Sequence, residues 1–188
     1  MHHQGFMPPP YSDRERRKWQ DPEGILSGIG LKPGLTIADI GCGGGFFALP
    51  AARIVGENGK VYALDVNAGL IEGIKRQAAE EGLKNLHLTA GRGEDNVVCE
   101  HCADIVFFGM ALHDFQDPAR VLENAAKVIK PGGRLVNLDW KKETMELGPP
   151  LGIRFDISTA TRLIKEAGFT VVTTKDSGPY HYVIIARL

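Results

Sequence analysis

The strongest constraint on this chain is an alternation: apolar runs of strand length are separated, again and again, by segments with helical spacing. Residues 35–40, 60–66, 85–90, 103–109 and 134–140 read as strands, bounded by Gly, Asn and Pro turn signals. Residues 46–55 read as a helix, as does the segment that Asn67 caps and Gly82 stops, where Leu70, Ile71, Ile74 and Ala78 share a face. Asp117-Pro118 opens another helix, with Val121, Leu122, Ala125, Val128 and Ile129 inward, and Lys130-Pro131-Gly132-Gly133 ends it. Strands that return through helical crossovers pair in parallel, so these elements predict a doubly wound α/β sheet. The C-terminal part differs. After a helix over residues 158–167, residues 169–175 and 180–187 are joined only by Asp176-Ser177-Gly178-Pro179. So short a connection forces an antiparallel pair.

A chain of 188 residues, 43% of them apolar, suits one domain with one good core. A net charge of -1 supplies no global field for nucleic acid or an anionic membrane. No run is long and apolar enough to span a bilayer, and MHHQGFMPPP lacks a signal-peptide pattern, so a cytoplasmic protein is expected. Three cysteines are too few for a disulfide scaffold and agree with a reducing compartment. Residues 1–30 read as an N-terminal arm followed by lid helices. Ser12 and Glu15 form a capping box opening a helix through Trp19, and Asp21-Pro22 starts a second. Most of Arg14, Arg16, Arg17 and Lys18 read as a solvated helix face.

Function concentrates where the first strand runs into Asp39-Ile40-Gly41-Cys42-Gly43-Gly44-Gly45. Glycines at a strand-to-helix turn let the backbone approach a ligand. Asp65, at the tip of the second strand, lies beside that turn in such a sheet, where a carboxylate accepts both hydroxyls of a ribose. Gly43, Gly45 and Ala48 also satisfy G-x-G-x-x-A, so an NAD(P)-dependent oxidoreductase is one reading. Against it stand Asp39, placed where a dinucleotide strand is still apolar, and the short sequence after the fifth strand.

IADIGCGGGFFALPAA, VYALDVN and PGGRLVNLDW resemble successive motifs of the class I S-adenosylmethionine-dependent methyltransferases, the small ubiquinone/menaquinone-biosynthesis type above all. The resemblance covers residues 14–188. It implies a Rossmann-like sheet of seven strands with the last antiparallel, a catalytic domain over residues 31–188, S-adenosylmethionine as donor and S-adenosylhomocysteine as product. Carried over, Asp39, Gly41, Cys42, Gly43 and Gly45 surround the methionine part, Asp65 holds the ribose, and Val66 packs on the adenine. Gly93 and Glu94 line the adenine's other edge, although Arg92 stands where relatives carry Asp, and Gly109 and Met110 pass beside the methionine amino group. A donor-binding subunit without turnover is a further alternative.

Methyl transfer from a sulfonium needs alignment and exclusion of water more than it needs side-chain chemistry. An acceptor that must lose a proton gains from a base near neutrality, and His113, just past the fourth strand, is the candidate. Its bland alternative is a loop histidine bonded to a backbone carbonyl. Asp114 orients that ring or faces water. Asp139, on the same rim, is an acceptor contact or a loop cap, and Trp140 is core or ligand wall. Tyr11 and Trp19 are candidates to lie against the sulfonium or the acceptor. Cys99 and Cys102 read as incidental, with capture of a trivalent metalloid as the sharper alternative. The expected partner is a small-molecule methyl acceptor of unknown identity, on a monomer or homodimer, with no nucleic acid and no metal.

Overall fold

Side-chain caps set where the helices of this chain begin. In a computed structural model describing residues 12–188, Ser12 Oγ accepts from the Glu15 amide while the Glu15 carboxylate accepts from the Ser12 amide, opening α1 (Asp13–Arg16). The N-terminal arm before it, Tyr11 included, lies outside the described residues. Asp21 caps α2 (Pro22–Gly28), Asn67 caps α4 (Ala68–Glu80), Asp117 caps α5 (Pro118–Val128) and Asp156 caps α6 (Ile157–Glu166). Helix α3 (Ala48–Val55) starts directly from the glycine turn without a side-chain cap. The strands are β1 (Thr36–Ile40), β2 (Lys60–Asp65), β3 (Leu86–Ala90), β4 (Ala103–Gly109), β5 (Ile129–Trp140), β6 (Thr170–Ser177) and β7 (His181–Arg187).

They form one seven-stranded sheet in the order β3-β2-β1-β4-β5-β7-β6. The first five strands pair in parallel, and β7 runs antiparallel to both β5 and β6. This is the expected sheet. Side chains alternate between its faces: Ile37, Phe107, Val136 and Leu138 pack under α2, α3 and α4, whereas Ala38, Val106, Phe108 and Leu135 pack under α5 and α6. Among the described residues no helix is long and apolar enough to cross a membrane.

Three details depart from expectation. Helix α1 stops at Arg16, and the chain continues to Gln20 in turns. Strand β5 begins at Ile129, because Ile129 already pairs with Ala103, and Lys130-Pro131-Gly132-Gly133 bulges from the ladder before Arg134 resumes opposite Ile105. The proline is tolerated there because it sits near the strand's first residue. The third departure is covalent: Cys99 and Cys102 form a disulfide, where the sequence suggested incidental free thiols. Residues 91–102 connect β3 to β4 without a helix, so other bonds hold them. Asn124 Nδ2 donates to the carbonyls of Gly93 and Glu94, and the Glu94 carboxylate accepts from the Gln116 and Asp117 amides. The disulfide tightens the remaining part. At the far edge, the β6 register against β7 shifts between Val171 and Thr173, leaving Val172 largely exposed.

Candidate functional site

In a doubly wound sheet the ligand crevice lies beyond the carboxyl ends of the strands, and here those ends bring together β1, β2, β4 and β5. The glycines after β1 divide into two kinds. A Cβ on Gly41 would come within 2.6 Å of Ala111, and one on Gly45 within 2.9 Å of Ile74, so these two are required by the protein's own packing. Gly43, at φ +54°, and Gly44 face open space with nothing within 4 Å, the room a ligand needs. Cys42 turns its thiol into the core, where burial raises its pKa, and offers the pocket only backbone.

Asp65 ties this turn to the second strand. Its Oδ2 accepts from the Gly43 amide and its Oδ1 from the Asn67 amide, each at 2.8 Å. The remaining lone pairs suffice for two hydroxyls. Val66 beside it is 71% exposed, an apolar side chain without apolar cover. Gly93 and Glu94 are brought to the same region, but Glu94 is committed to the backbone amides at the start of α5. Arg92 pairs with Glu94 and Asp95.

Asp39 is the unusual group. It is 2% exposed and neither carboxylate oxygen has a hydrogen-bond partner among the described residues. Burial, and then the nearby Asp65 charge, push its pKa up to about 7 against the pull of Arg16. Such a carboxylate is costly unless something cationic or hydrogen-bonding joins it. The charge that pulls on it belongs to the end of α1. Arg16 places its guanidinium 3.8 Å from the Phe46 ring centroid and donates to Gln20 Oε1 at 2.7 Å. Gln20 donates to Met110 Sδ, and Met110 itself holds φ +62° at the end of β4, a conformation uncommon outside glycine. Gly109 is glycine because Phe47 and Phe107 crowd its Cβ position.

His113 and Asp139 meet. His113 Nδ1 lies 2.7 Å from Asp139 Oδ1, with both side chains buried, and His113 Nε2 lies 3.4 Å from the half-exposed Asp114. The carbonyl-capping alternative for His113 is thereby replaced by a carboxylate-oriented imidazole. Burial pulls the His113 pKa down, but the charge and hydrogen bond of Asp139 outweigh it and leave the group raised. Asp139 stands opposite Tyr182, and Trp140 opposite His181, in the β5–β7 ladder. Residues directly opposite share a face, so the His113–Asp139 pair and the aromatic group sit on different sides of the sheet edge. Trp140 is buried and tilts against His181 at 4.3 Å between centroids, and Trp19 stacks on His181 at 5.8 Å. Burial, aided by Arg16, Lys141 and Arg154, drives His181 down to about 3, so it stays neutral.

The loop after β5 is organised by a buried arginine. Arg154 donates to the carbonyls of Lys141, Glu143, Leu147 and Pro149, and a cleft of about 410 Å³ opens beside it between residues 143–145 and 148–151. Cys99 and Cys102 precede β4 at the amino end of the sheet, a strand of about 20 Å away from Gly109. A metalloid held there would lie far from the crevice, which removes that alternative. Arg16, His181 and Arg154 are the groups that sequence reasoning missed. Arg16 was visible only as one charge of four, and nothing local distinguishes the one that turns inward.

Residues 31–173 match the methyltransferase-domain family. The chain belongs to that family. Its sheet order and motif sequence are those of the class I S-adenosylmethionine-dependent methyltransferases, which sets aside the dinucleotide reading of Gly43, Gly45 and Ala48. A demethylmenaquinone methyltransferase of Bacillus mycoides is 31% identical over 115 residues, 61% of this chain and 48% of that protein. The ubiquinone/menaquinone biosynthesis C-methyltransferase UbiE of Vibrio vulnificus is 28% identical over 152 residues, 80% of this chain and 57% of that protein. The chain thus spans about half the length of the curated relatives it matches. A solved S-adenosylmethionine-dependent methyltransferase from Aquifex aeolicus superposes with a TM-score of 0.86 at 29% identity, covering 94% of this chain and 98% of that one.

Proposed function

We propose that this protein transfers a methyl group from S-adenosylmethionine to a small-molecule acceptor, with His113 as the base that takes the acceptor's proton. The observation that carries the donor site is Asp39, a buried carboxylate without a hydrogen-bond partner among the described residues, close to the open Gly43–Gly44 turn. The residues fit the donor: Asp39 suits an ammonium group, Asp65 the ribose hydroxyls, and Val66 the adenine face. When bound, the donor supplies an activated methyl group on a sulfonium. The chain's contribution is to hold the acceptor in line and keep water out. Trp19, Trp140 and His181 would form one wall and the loop ordered by Arg154 another. His113 would accept the proton, and Asp139 would fix its tautomer and stabilise the imidazolium. Asp114, beside Nε2, is the route by which that proton reaches solvent.

Two measurements test this reading. S-adenosylhomocysteine is expected to raise the melting temperature and NADH to leave it unchanged; the reverse pattern removes the donor assignment. His113→Asn keeps a polar group but no base, and is expected to bind S-adenosylhomocysteine normally while turnover of a protonated acceptor falls by about 10²-fold or more. Wild-type turnover would return His113 to a structural role.

A further inference from the structure

Arg16 lies outside residues 31–173, the part that matches the family, and nothing in the motifs of the core requires it. Its surroundings are nonetheless those of a receptor. The guanidinium stands over Phe46 and reaches Phe47 at 5.3 Å, so two aromatic faces hold it in place. Its hydrogen bonds go to one amide oxygen, Gln20 Oε1, and one thioether sulfur, Met110 Sδ at 3.9 Å. Neither partner is an anion. A guanidinium carries five donors matched to a carboxylate, and a thioether is a weak acceptor. The neighbouring side chains of the same segment are saturated differently: Arg17 has its carboxylate in Glu23. Two carboxylates act on Arg16 electrostatically: Asp13 of its own helix, and Asp39, which is buried with both oxygens unpartnered among the described residues. Arg16 and Asp39 are not bonded to each other. Among the described residues, therefore, a cation with no carboxylate hydrogen-bonded to it and a buried carboxylate with no hydrogen-bond partner lie by the glycine turn.

We propose that Arg16 is the receptor for the carboxylate of the methyl donor's amino-acid moiety, acting opposite Asp39, and that the donor thereby latches the N-terminal helical segment over the pocket. A zwitterion fits this pair: the carboxylate meets Arg16 and the ammonium meets Asp39. The latch follows from connectivity. Arg16, the last residue of α1, and Gln20, in the turn that follows, both donate to Met110 Sδ, and Trp19, between them, packs on Trp140 and His181. A ligand that holds Arg16 also holds Trp19 in the acceptor wall. This inference rests on the donor site of the preceding section and adds to it a residue and a coupling.

The test compares two nucleosides that share adenine, ribose and sulfur: S-adenosylhomocysteine, which carries the amino acid, and 5′-methylthioadenosine, which does not. Calorimetry on the full chain is expected to show wild type preferring S-adenosylhomocysteine by about tenfold or more. Arg16→Gln should weaken S-adenosylhomocysteine by about tenfold to a hundredfold and leave 5′-methylthioadenosine within about twofold, with Arg16→Lys between. Retained 5′-methylthioadenosine binding also shows that the variant is folded. Equal losses for both ligands, or no loss for either, would overturn the proposal. Wild type that binds both nucleosides equally overturns the carboxylate role while the nucleoside site survives. Wild type that binds neither removes the donor site and this inference together.

Discussion

Asp39 makes folding and binding oppose each other at one residue. Its folded pKa, raised by burial to about 7, lies above its unfolded value. An acid shifted in that direction stabilises the fold relative to its ionised form only at low pH. That advantage is lost as pH rises from the unfolded value through 7. Asp39→Asn is therefore expected to stabilise the ligand-free protein at pH 8, on the order of 1–4 kcal/mol, with a gain that shrinks towards pH 4. The same variant should bind S-adenosylhomocysteine more weakly. Melting curves across that range, with and without ligand, check both halves. His113 gives the second residue-scale expectation. Because Asp139 holds its pKa above the ordinary histidine value, turnover should rise with pH along a limb displaced to the alkaline side of about 6.5. Asp139→Asn removes the charge and should move that limb acidward while lowering the plateau. A pH–rate profile with an unmoved limb would show that His113 is not the group titrating.

At the scale of elements, the caps and periodicities were legible because they are local. Asn67, Asp117 and Ser12 announce their helices within four residues, and the apolar runs fall on strands to within about two residues except at β5, which starts five residues early at Ile129. Asp65 at the tip of β2 was legible for the same reason, since a parallel sheet places that tip beside the turn after β1. Pairings across the sheet were not. His113 and Asp139 were each visible as rim residues, yet their 2.7 Å contact depends on how the turn after β4 leans over β5. Nor did the sequence show that β3 returns to β4 without a helix, which is what gives the Cys99–Cys102 bond its task. Replacing both cysteines by serine opens a small loop only. The expected cost is at most about 2 kcal/mol, read as a melting shift of a few degrees. Nucleoside affinity should not change, because the pair sits at the amino end of the sheet. A loss of affinity would mean that the crossover transmits to Gly93 and Glu94.

For the whole molecule, the sheet and the segment above it have separable roles. Every strand of the described residues lies after Leu35, so deleting residues 1–20 is expected to leave a cooperatively melting domain. Without Arg16 and Trp19 that domain should lose affinity for S-adenosylhomocysteine but keep 5′-methylthioadenosine. Its turnover should fall further than binding accounts for, since an acceptor wall is gone. Full activity of the truncated form would assign the wall to other residues. The opposite margin of the molecule carries its own consequence. Among the described residues strand β6 has β7 on one side only, and its outer edge is interrupted where Val172 steps out of register, with Lys175 and Asp176 following. A second chain laid along that edge would meet a kink and then charges, both of which disfavour its adding as an eighth strand. Straightening that kink, by deleting Val172, is therefore expected to leave the edge more open to chain-on-chain stacking, a hazard that any sheet with an open border carries through every round of synthesis and refolding.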